Sequence, residues 1–404
     1  MTFKILKKDK SSSARLGRIE TNHGVIKTPF FMPIATMGAV KTLTPRDLEE
    51  LGAQIILSNT YHLMLRPGVN LIKRTSGLHK FINWSKPILT DSGGYQVFSL
   101  AKWRKITEKG VEFSSDIDGK KYLLTPEKSI DIQLALGSDI MMCLDECVAY
   151  PCKKEYAAEA MKRTTRWAIK SSKFAPSRAA GKAFGDARPK RLWRVGDKVR
   201  SSKLNKSQAL FGIVQGSVYK DLRLESARNL MKLGFDGYAI GGLAVGEPRK
   251  KMYQVLDYLV PELPENKPRY LMGIGKPEEI VKAVKKGIDM FDCVIPTRNA
   301  RHGSLYKFKI RSAKSKNKSS KFKLKLLSTS ENLYEVIRIK SKKYKNDLSP
   351  IDPNCHCYTC QNFSRAYLRH LFMVKEPLAQ RLATIHNLSF YLEMMREIRK
   401  VIRG

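Results

Sequence analysis

Short apolar runs recur along the chain, with longer stretches of helical periodicity between most of them. In order the runs are Phe30–Ala35, Ile55–Leu57, Ile88–Thr90, Ile140–Leu144, Leu210–Val214, Tyr238–Ile240, Tyr270–Met272 and Met290–Val294. Thr44-Pro45-Arg46-Asp47 opens one helix with an N-cap residue and proline at the first helical position. Lys276-Pro277-Glu278-Glu279 opens another, which continues through Ile280, Val281 and Val284. Lys154–Lys170 and Leu222–Leu233 supply two more, and Pro377–Arg396 is an amphipathic helix near the end. Eight strands alternating with helices predict an α/β fold, a parallel (β/α)8 barrel over residues 1–310.

The unusual polar and glycine residues follow the runs. Asp91, Ser92, Gly93, Gly94 and Tyr95 come after the third, Asp145-Glu146-Cys147 after the fourth and Gln215-Gly216 after the fifth. Gly241, Gly242 and Leu243 come after the sixth, and Gly273, Ile274 and Gly275 after the seventh. Asp292 lies within the eighth, before Pro296, Thr297 and Arg298. One polar residue at a strand end is usually a helix cap, but six such signatures at strand C-termini mark the catalytic face of a barrel.

Among them are three carboxylates, Asp91, Asp145 and Asp292. Chemistry at an anomeric carbon takes one carboxylate as nucleophile and another as acid/base. The bland alternative is a buried aspartate paired with an arginine. Asp292 sits in an apolar strand between Phe291 and Cys293, where an idle carboxylate is costly, although strand alternation leaves open whether it points inward or outward. Neither glycine cluster forms GxGxxG after a first strand, so a dinucleotide fingerprint is not supported. Arg298, Asn299, Ala300, Arg301 and His302 form a short cationic and amide cluster suited to phosphates and exposed bases.

Charge adds a partner. The 404 residues carry 75 Lys+Arg against 37 Asp+Glu, a formal +38, which points to a polyanion. Ser177–Ser207 holds ten Lys/Arg and two Asp, and Ser312–Lys345 holds eleven Lys/Arg and two Glu. Both read as surface insertions, at about 177–207 and 311–345, the latter partly disordered. The remainder is still basic. No apolar stretch approaches the ~18 residues of a membrane span, and the first residues lack a signal-type apolar core, so a cytoplasmic protein is expected.

The seven cysteines add a metal. Cys355-x-Cys357-x2-Cys360, with His386 twenty-six residues later, is the Cys3His composition of a structural zinc site. His356 and His370 compete with His386 for the fourth place. Residues 346–404 are thereby expected to form a zinc-binding subdomain with C-terminal helices.

Thr90-Asp-Ser-Gly-Gly-Tyr-Gln96, Leu144-Asp-Glu-Cys147, Gly212-Ile-Val-Gln-Gly216, Ala239–Glu247, Phe291–Arg298 and the zinc set together resemble bacterial-type tRNA-guanine transglycosylases. The likeness covers nearly all of the chain outside the two insertions. It implies an irregular (β/α)8 barrel with an inserted zinc subdomain, working as a homodimer. It also implies exchange of guanine at wobble position 34 of GUN-anticodon tRNAs (Asp, Asn, His, Tyr) for the queuosine precursor 7-aminomethyl-7-deazaguanine, preQ1. By the same resemblance Asp292 is the nucleophile and Asp91 the proton donor and acceptor. Asp145 and Gln215 bind the base, the Gly242 amide reaches its carbonyl, and the Leu243 carbonyl and Glu247 face its aminomethyl group. Tyr95 and Met272 sandwich the ring, beside Ser92, Gly93 and Gly94. Anticodon contacts map onto Gly273, Ile274, Gly275, Lys276, Pro277, Glu278 and Glu279 and onto Thr297, Arg298, Asn299, Ala300 and Arg301.

Two positions depart from the pattern. Ser217 stands where the family usually has glycine. Val245, where the eukaryotic form has glycine, leaves less room for queuine and favours the smaller base. A non-catalytic tRNA-binding partner is the alternative from another class, and retention of both Asp91 and Asp292 argues against it.

Overall fold

The computed structural model describes residues 1–100, 103–175, 208–309 and 333–404. All eight apolar runs become strands of one parallel sheet: Phe30–Met32, Ile56–Ser58, Ile88–Thr90, Ile140–Met142, Ala209–Val214, Gly237–Ile240, Arg269–Leu271 and Met290–Asp292. Sequential strands pair side by side, and the eighth returns to the first with Met290 opposite Phe30 and Asp292 opposite Met32. A bridge between Ile34 and Leu57 joins the first strand to the second, so the sheet closes into the (β/α)8 barrel. Most of the strands are followed by helices, including Lys154–Phe174, Lys220–Lys232, Arg249–Leu259 and Pro277–Lys285. The Thr44 cap forms as expected, with reciprocal bonds between its side chain and Asp47.

The interior is filled by alternate residues of the strands, among them Leu89, Met142, Phe211, Ile213, Tyr270 and Met290. A three-stranded antiparallel sheet, Thr2–Lys8, Arg15–Thr21 and Gly24–Thr28, contributes Ile19 and Ile26 to the same cluster. The periodicity reading passed over this sheet, because its strands alternate with lysine and arginine.

The turn of that sheet is fastened to the strand N-termini. His23 Nδ1 lies 2.9 Å from Asp139 Oδ1, and the His23 and His79 rings stack at 3.6 Å. Burial opposes the Asp139 charge, but bonds from His23, His79 and the Ile88 amide outweigh it and hold its carboxyl below the ordinary range. The hydrogen bond to Asp139 outweighs burial at His23 and raises its pKa. A raised histidine stabilises fully below its ordinary value and loses that contribution as pH rises through the folded value. The depressed aspartate contributes above its ordinary value and loses that as pH falls. The fastening is therefore strongest in mild acid. Melting temperature should fall between about pH 6 and pH 8.5 more steeply for wild type than for His23→Ala, and equal slopes would refute the coupling.

The stretch 311–345 is not wholly an insertion. Strand Tyr334–Arg338 pairs antiparallel with Ser304–Phe308, and Leu333, Ile337 and Ile339 are buried. The alternating apolar positions carry this strand, and the lysine-rich stretches on either side of it disguised the period. The segments 177–207 and 312–332 lie outside the described residues.

The final helix, Pro377–Arg403, runs along the barrel and binds several parts of it. The Arg399 guanidinium donates to the Pro29 carbonyl at 2.7 Å, Tyr391 Oη to the Gly275 carbonyl at 2.6 Å, and Asn387 Nδ2 to the Pro296 and Ser304 carbonyls, both at 3.0 Å.

Candidate active site and metal centre

Strand parity builds the site. Leu89, Ile213 and Met290 point into the barrel, so the residues two positions on, Asp91, Gln215 and Asp292, turn toward the axis at its C-terminal rim. This fixes the direction of Asp292 as inward. Phe291, one residue away, belongs to the outer core.

Asp292 Oδ1 accepts from Tyr270 Oη at 2.5 Å and from the Gly273 amide at 2.9 Å. No hydrogen bond engages Oδ2 among the described residues, which leaves one carboxylate oxygen available. Burial pushes the carboxyl above its ordinary value, against those two bonds. The Tyr270 hydroxyl lies in the field of both Asp292 and Asp91 and is held protonated, first by burial and then by these charges.

Asp91 is held by four donors. Oδ1 accepts from the Thr60 amide at 2.9 Å and the Gly93 amide at 3.2 Å. Oδ2 accepts from Asn59 Nδ2 and, at 2.7 Å, from Gln96 Nε2. Burial still carries its carboxyl up to about 6. A carboxyl with that value exchanges a proton readily near neutrality, as an acid/base group must.

Asp145 forms the next layer. It accepts from Ser92 Oγ at 3.2 Å and from Gln215 Nε2 at 2.7 Å. Burial, together with the charge of nearby Asp91, takes its carboxyl to about 6 against those bonds. Gln215 Oε1 is buried and has no partner among the described residues, so an acceptor is left for a donor on a bound molecule. Two glycines make room. A Cβ on Gly94 would stand 2.7 Å from the Asp145 carbonyl oxygen, and one on Gly242, at φ +62°, would stand 2.3 Å from Gln215 Oε1.

Around this centre Leu243 is buried and Met272 half-buried, while Tyr95 is 50% exposed at the mouth. Glu247 is turned back on its own loop, accepting from the Ala244 amide at 2.7 Å and the Val245 amide at 3.0 Å. Ser217 takes up the left-handed conformation, φ +51°, and its hydroxyl accepts from the Cys152 thiol at 3.4 Å. The pocket thus combines ionisable carboxylates with amide donors and acceptors, the complement of a planar, hydrogen-bonding heterocycle.

Two rim segments flank it. In the first, Gly273 and Lys276 are exposed, whereas Ile274, Gly275, Pro277 and Glu279 are buried. Glu279 pairs with Arg249 at 2.7 Å, and Glu278 accepts from Tyr334 Oη at 2.9 Å. In the second, the helix Ile295–Arg301, Arg298 is exposed and Asn299 donates to Tyr306 Oη at 2.6 Å. Thr297 and Ala300 are buried, and Arg301 keeps a buried Nη1 without a partner among the described residues.

Sequence reasoning missed Asn59, Thr60, Gln96 and Tyr270. Asn59 and Thr60 directly follow the second barrel strand, so the strand-end rule was capable of finding them. Tyr270 gave no such signal, because a tyrosine inside an apolar run reads as core.

The metal-ligating set assembles away from this pocket. Ligand atoms of Cys355, Cys357, Cys360 and His386 all lie within 4.8 Å of one another. His386 Nδ1 faces the Cys360 and Cys357 sulfurs at 3.2 and 3.7 Å, and Nε2 lies 2.7 Å from the Tyr306 carbonyl oxygen. That carbonyl accepts a hydrogen bond from Nε2–H and leaves Nδ1 as the ligand, the usual arrangement behind a metal-bound histidine. Three sulfurs and one nitrogen fit a metal ion of zinc type. His356 and His370 are exposed and stand outside the group.

Comparison with known proteins agrees with this architecture. A family model described as Queuine tRNA-ribosyltransferase matches residues 9–404. A protein of that name from Thermoanaerobacter sp. (strain X514) is 49% identical over 401 residues, covering 99% of this chain and 93% of the relative. Another from Thermodesulfovibrio yellowstonii is 50% identical over 402 residues, covering 100% and 91%. One from Acinetobacter baylyi is 49% identical over 400 residues, covering 99% and 91%. With a barrel rim that gathers Asp91, Asp145, Gln215 and Asp292 and a match along nearly its whole length, the chain belongs to the queuine tRNA-ribosyltransferase family.

Proposed function

We propose that this enzyme, a tRNA-guanine transglycosylase and so a pentosyltransferase, exchanges guanine at wobble position 34 of GUN-anticodon tRNAs for preQ1. The observation that carries the proposal is the pairing of two differently held carboxylates on one rim. Asp292 has one oxygen bound and one available, whereas Asp91 is held by four donors. In this reading Asp292 attacks C1′ of the ribose and forms a ribosyl ester, while Asp91 protonates the departing guanine. Asp91 then takes a proton from the incoming base, whose nitrogen attacks C1′ and restores the glycosidic bond. Two displacements retain configuration at that carbon.

Asp145, the vacant Gln215 acceptor and the Gly242 amide read the base, which leaves the anticodon stack to reach them. Tyr95 and Met272 cover its faces, and the Leu243 carbonyl stands toward the 7-substituent while Glu247 braces the loop that carries it. Val245 favours preQ1 over queuine. Lys276, Arg298 and Arg301 supply cationic groups for the anticodon backbone. Zinc in the Cys3His set holds the C-terminal subdomain as a structural ion. A cytoplasmic homodimer completes the proposal.

The test is incorporation of labelled guanine into anticodon stem-loop RNA containing GUN. The rate should pass through a maximum near pH 6, because Asp91 must hold a proton to release guanine whereas Asp145 must be ionised to read the base. A rate unchanged down to pH 5 would separate these carboxylates from the chemistry, and no incorporation by folded enzyme would remove the function.

A further inference from the structure

One fully enclosed cation spends its hydrogen bonds on the backbone of the pocket loops. Arg223, on the helix Lys220–Lys232, is 0% exposed, and all its hydrogen bonds go to main-chain carbonyls. Nε donates to Ser217 at 2.7 Å. Nη1 donates to Val214 at 2.9 Å and to Gly241 at 2.7 Å, and Nη2 to Gly242 at 3.1 Å. Among the described residues it joins no ion pair. Burial draws the guanidinium down to about 10, so it remains charged at neutral pH. A buried charge is costly unless hydrogen bonds compensate it, and here they are spent on two particular loops, with the Glu247 carboxylate close enough to support the charge.

The position of the four carbonyls is informative. Val214 immediately precedes Gln215, and Gly241 immediately precedes Gly242. In a planar trans peptide the C=O and N–H point in opposite directions. With the Gly241 oxygen on Arg223, the Gly242 N–H is turned away from the guanidinium toward the pocket, where it faces the Cys147 sulfur. The same Nη1 atom also holds Val214, so the loop carrying Gln215 and the loop carrying Gly242 share one anchor. A cation on the carbonyl oxygen further polarises the peptide and strengthens its N–H as a donor.

We propose that Arg223 is a positioning residue for base recognition. Its guanidinium orients the Gly241–Gly242 peptide so that the Gly242 N–H meets the carbonyl of a guanine-type base, and it sets the spacing between that donor and the Gln215 side chain. The inference rests on reading the pocket as a guanine site. Lysine is no substitute, because one ammonium lacks the planar fork that spans both loops.

The test compares guanine with 2-aminopurine, the same ring system without the carbonyl. Equilibrium dialysis of full-length wild type, Arg223→Lys and Arg223→Met gives the affinities, with thermal melting and anticodon-loop RNA binding measured alongside. Wild type should prefer guanine by at least about tenfold, the discrimination expected when a buried donor loses its acceptor. In both variants the preference should shrink to about threefold or less, as expected when the donor is misdirected, with 2-aminopurine and RNA affinities within about twofold of wild type. A purely structural role would instead lower the melting temperature and weaken both bases equally, which would overturn the proposal. Should the methionine variant fail to fold, the lysine variant carries the comparison, and full preference retained there would equally overturn it. Wild type without any preference would overturn the guanine reading itself, and the inference with it.

Discussion

Asp292→Asn is expected to abolish base exchange, lowering the rate by at least about a thousandfold, and to remove the covalent enzyme–RNA adduct. A neutral amide cannot form the ribosyl ester, so no band of protein joined to RNA should survive denaturation. The side chain should still sit in place, because an amide oxygen can accept from Tyr270 and Gly273 as the carboxylate does. Asp91→Asn should also stop turnover, for a different reason. The leaving guanine loses its proton donor and the incoming base its acceptor, while Asp292 keeps its available oxygen. Tyr270→Phe should fall between these outcomes. It removes one of the two donors holding Asp292, so exchange slows by about ten- to a hundredfold with folding intact. An adduct formed by the Asp292→Asn enzyme would reassign the nucleophile, and Asp91 would be the next residue to test.

The second large effect concerns the metal. Purified protein should contain about one zinc per chain, and Cys357→Ser should lose it. Structural zinc sites contribute on the order of 10 kcal/mol to the folding of their domains, so residues 346–404 should become protease-sensitive and the melting temperature should drop sharply. The damage should reach the RNA more than the base. Asn387, next to the ligand His386, holds Pro296, and Tyr391 on the same helix holds Gly275. Both carbonyls belong to the rim segments proposed to meet the anticodon. RNA affinity should therefore fall by about tenfold or more, as expected from lost phosphate contacts, with free guanine affinity nearly unchanged. Folded, active enzyme containing no zinc would dispose of the metal's role.

The barrel was legible because each of its eight strands lies in a nearly uninterrupted apolar run and six of the runs carry a polar or glycine signature at the C-terminal end. Asp91, Asp145, Gln215 and Asp292 were found by that rule alone, and the cysteine spacing identified the second centre. What escaped has a common cause. The N-terminal sheet alternates apolar residues with lysine and arginine, and the strand Tyr334–Arg338 lies in a lysine-rich stretch, so their charge reads as solvated loop. Tyr270 hid inside an apolar run. Arg223 sits in a helical stretch where an arginine ordinarily marks the solvent face, and only the closed barrel turns it inward to two loops. In each case the deciding contacts are long-range, and no local pattern records them.

The way the barrel closes also orders its assembly on the ribosome. Asp292 pairs in register with Met32, so the proposed nucleophile cannot be seated until the last barrel strand returns to the first. The helix that then fastens Gly275, Pro296 and Pro29 is the last element in the chain, with Tyr391, Asn387 and Arg399 among its final residues. A nascent chain stalled before residue 377 already carries every pocket carboxylate, yet Gly275 and Pro296 still lack the helix that holds them.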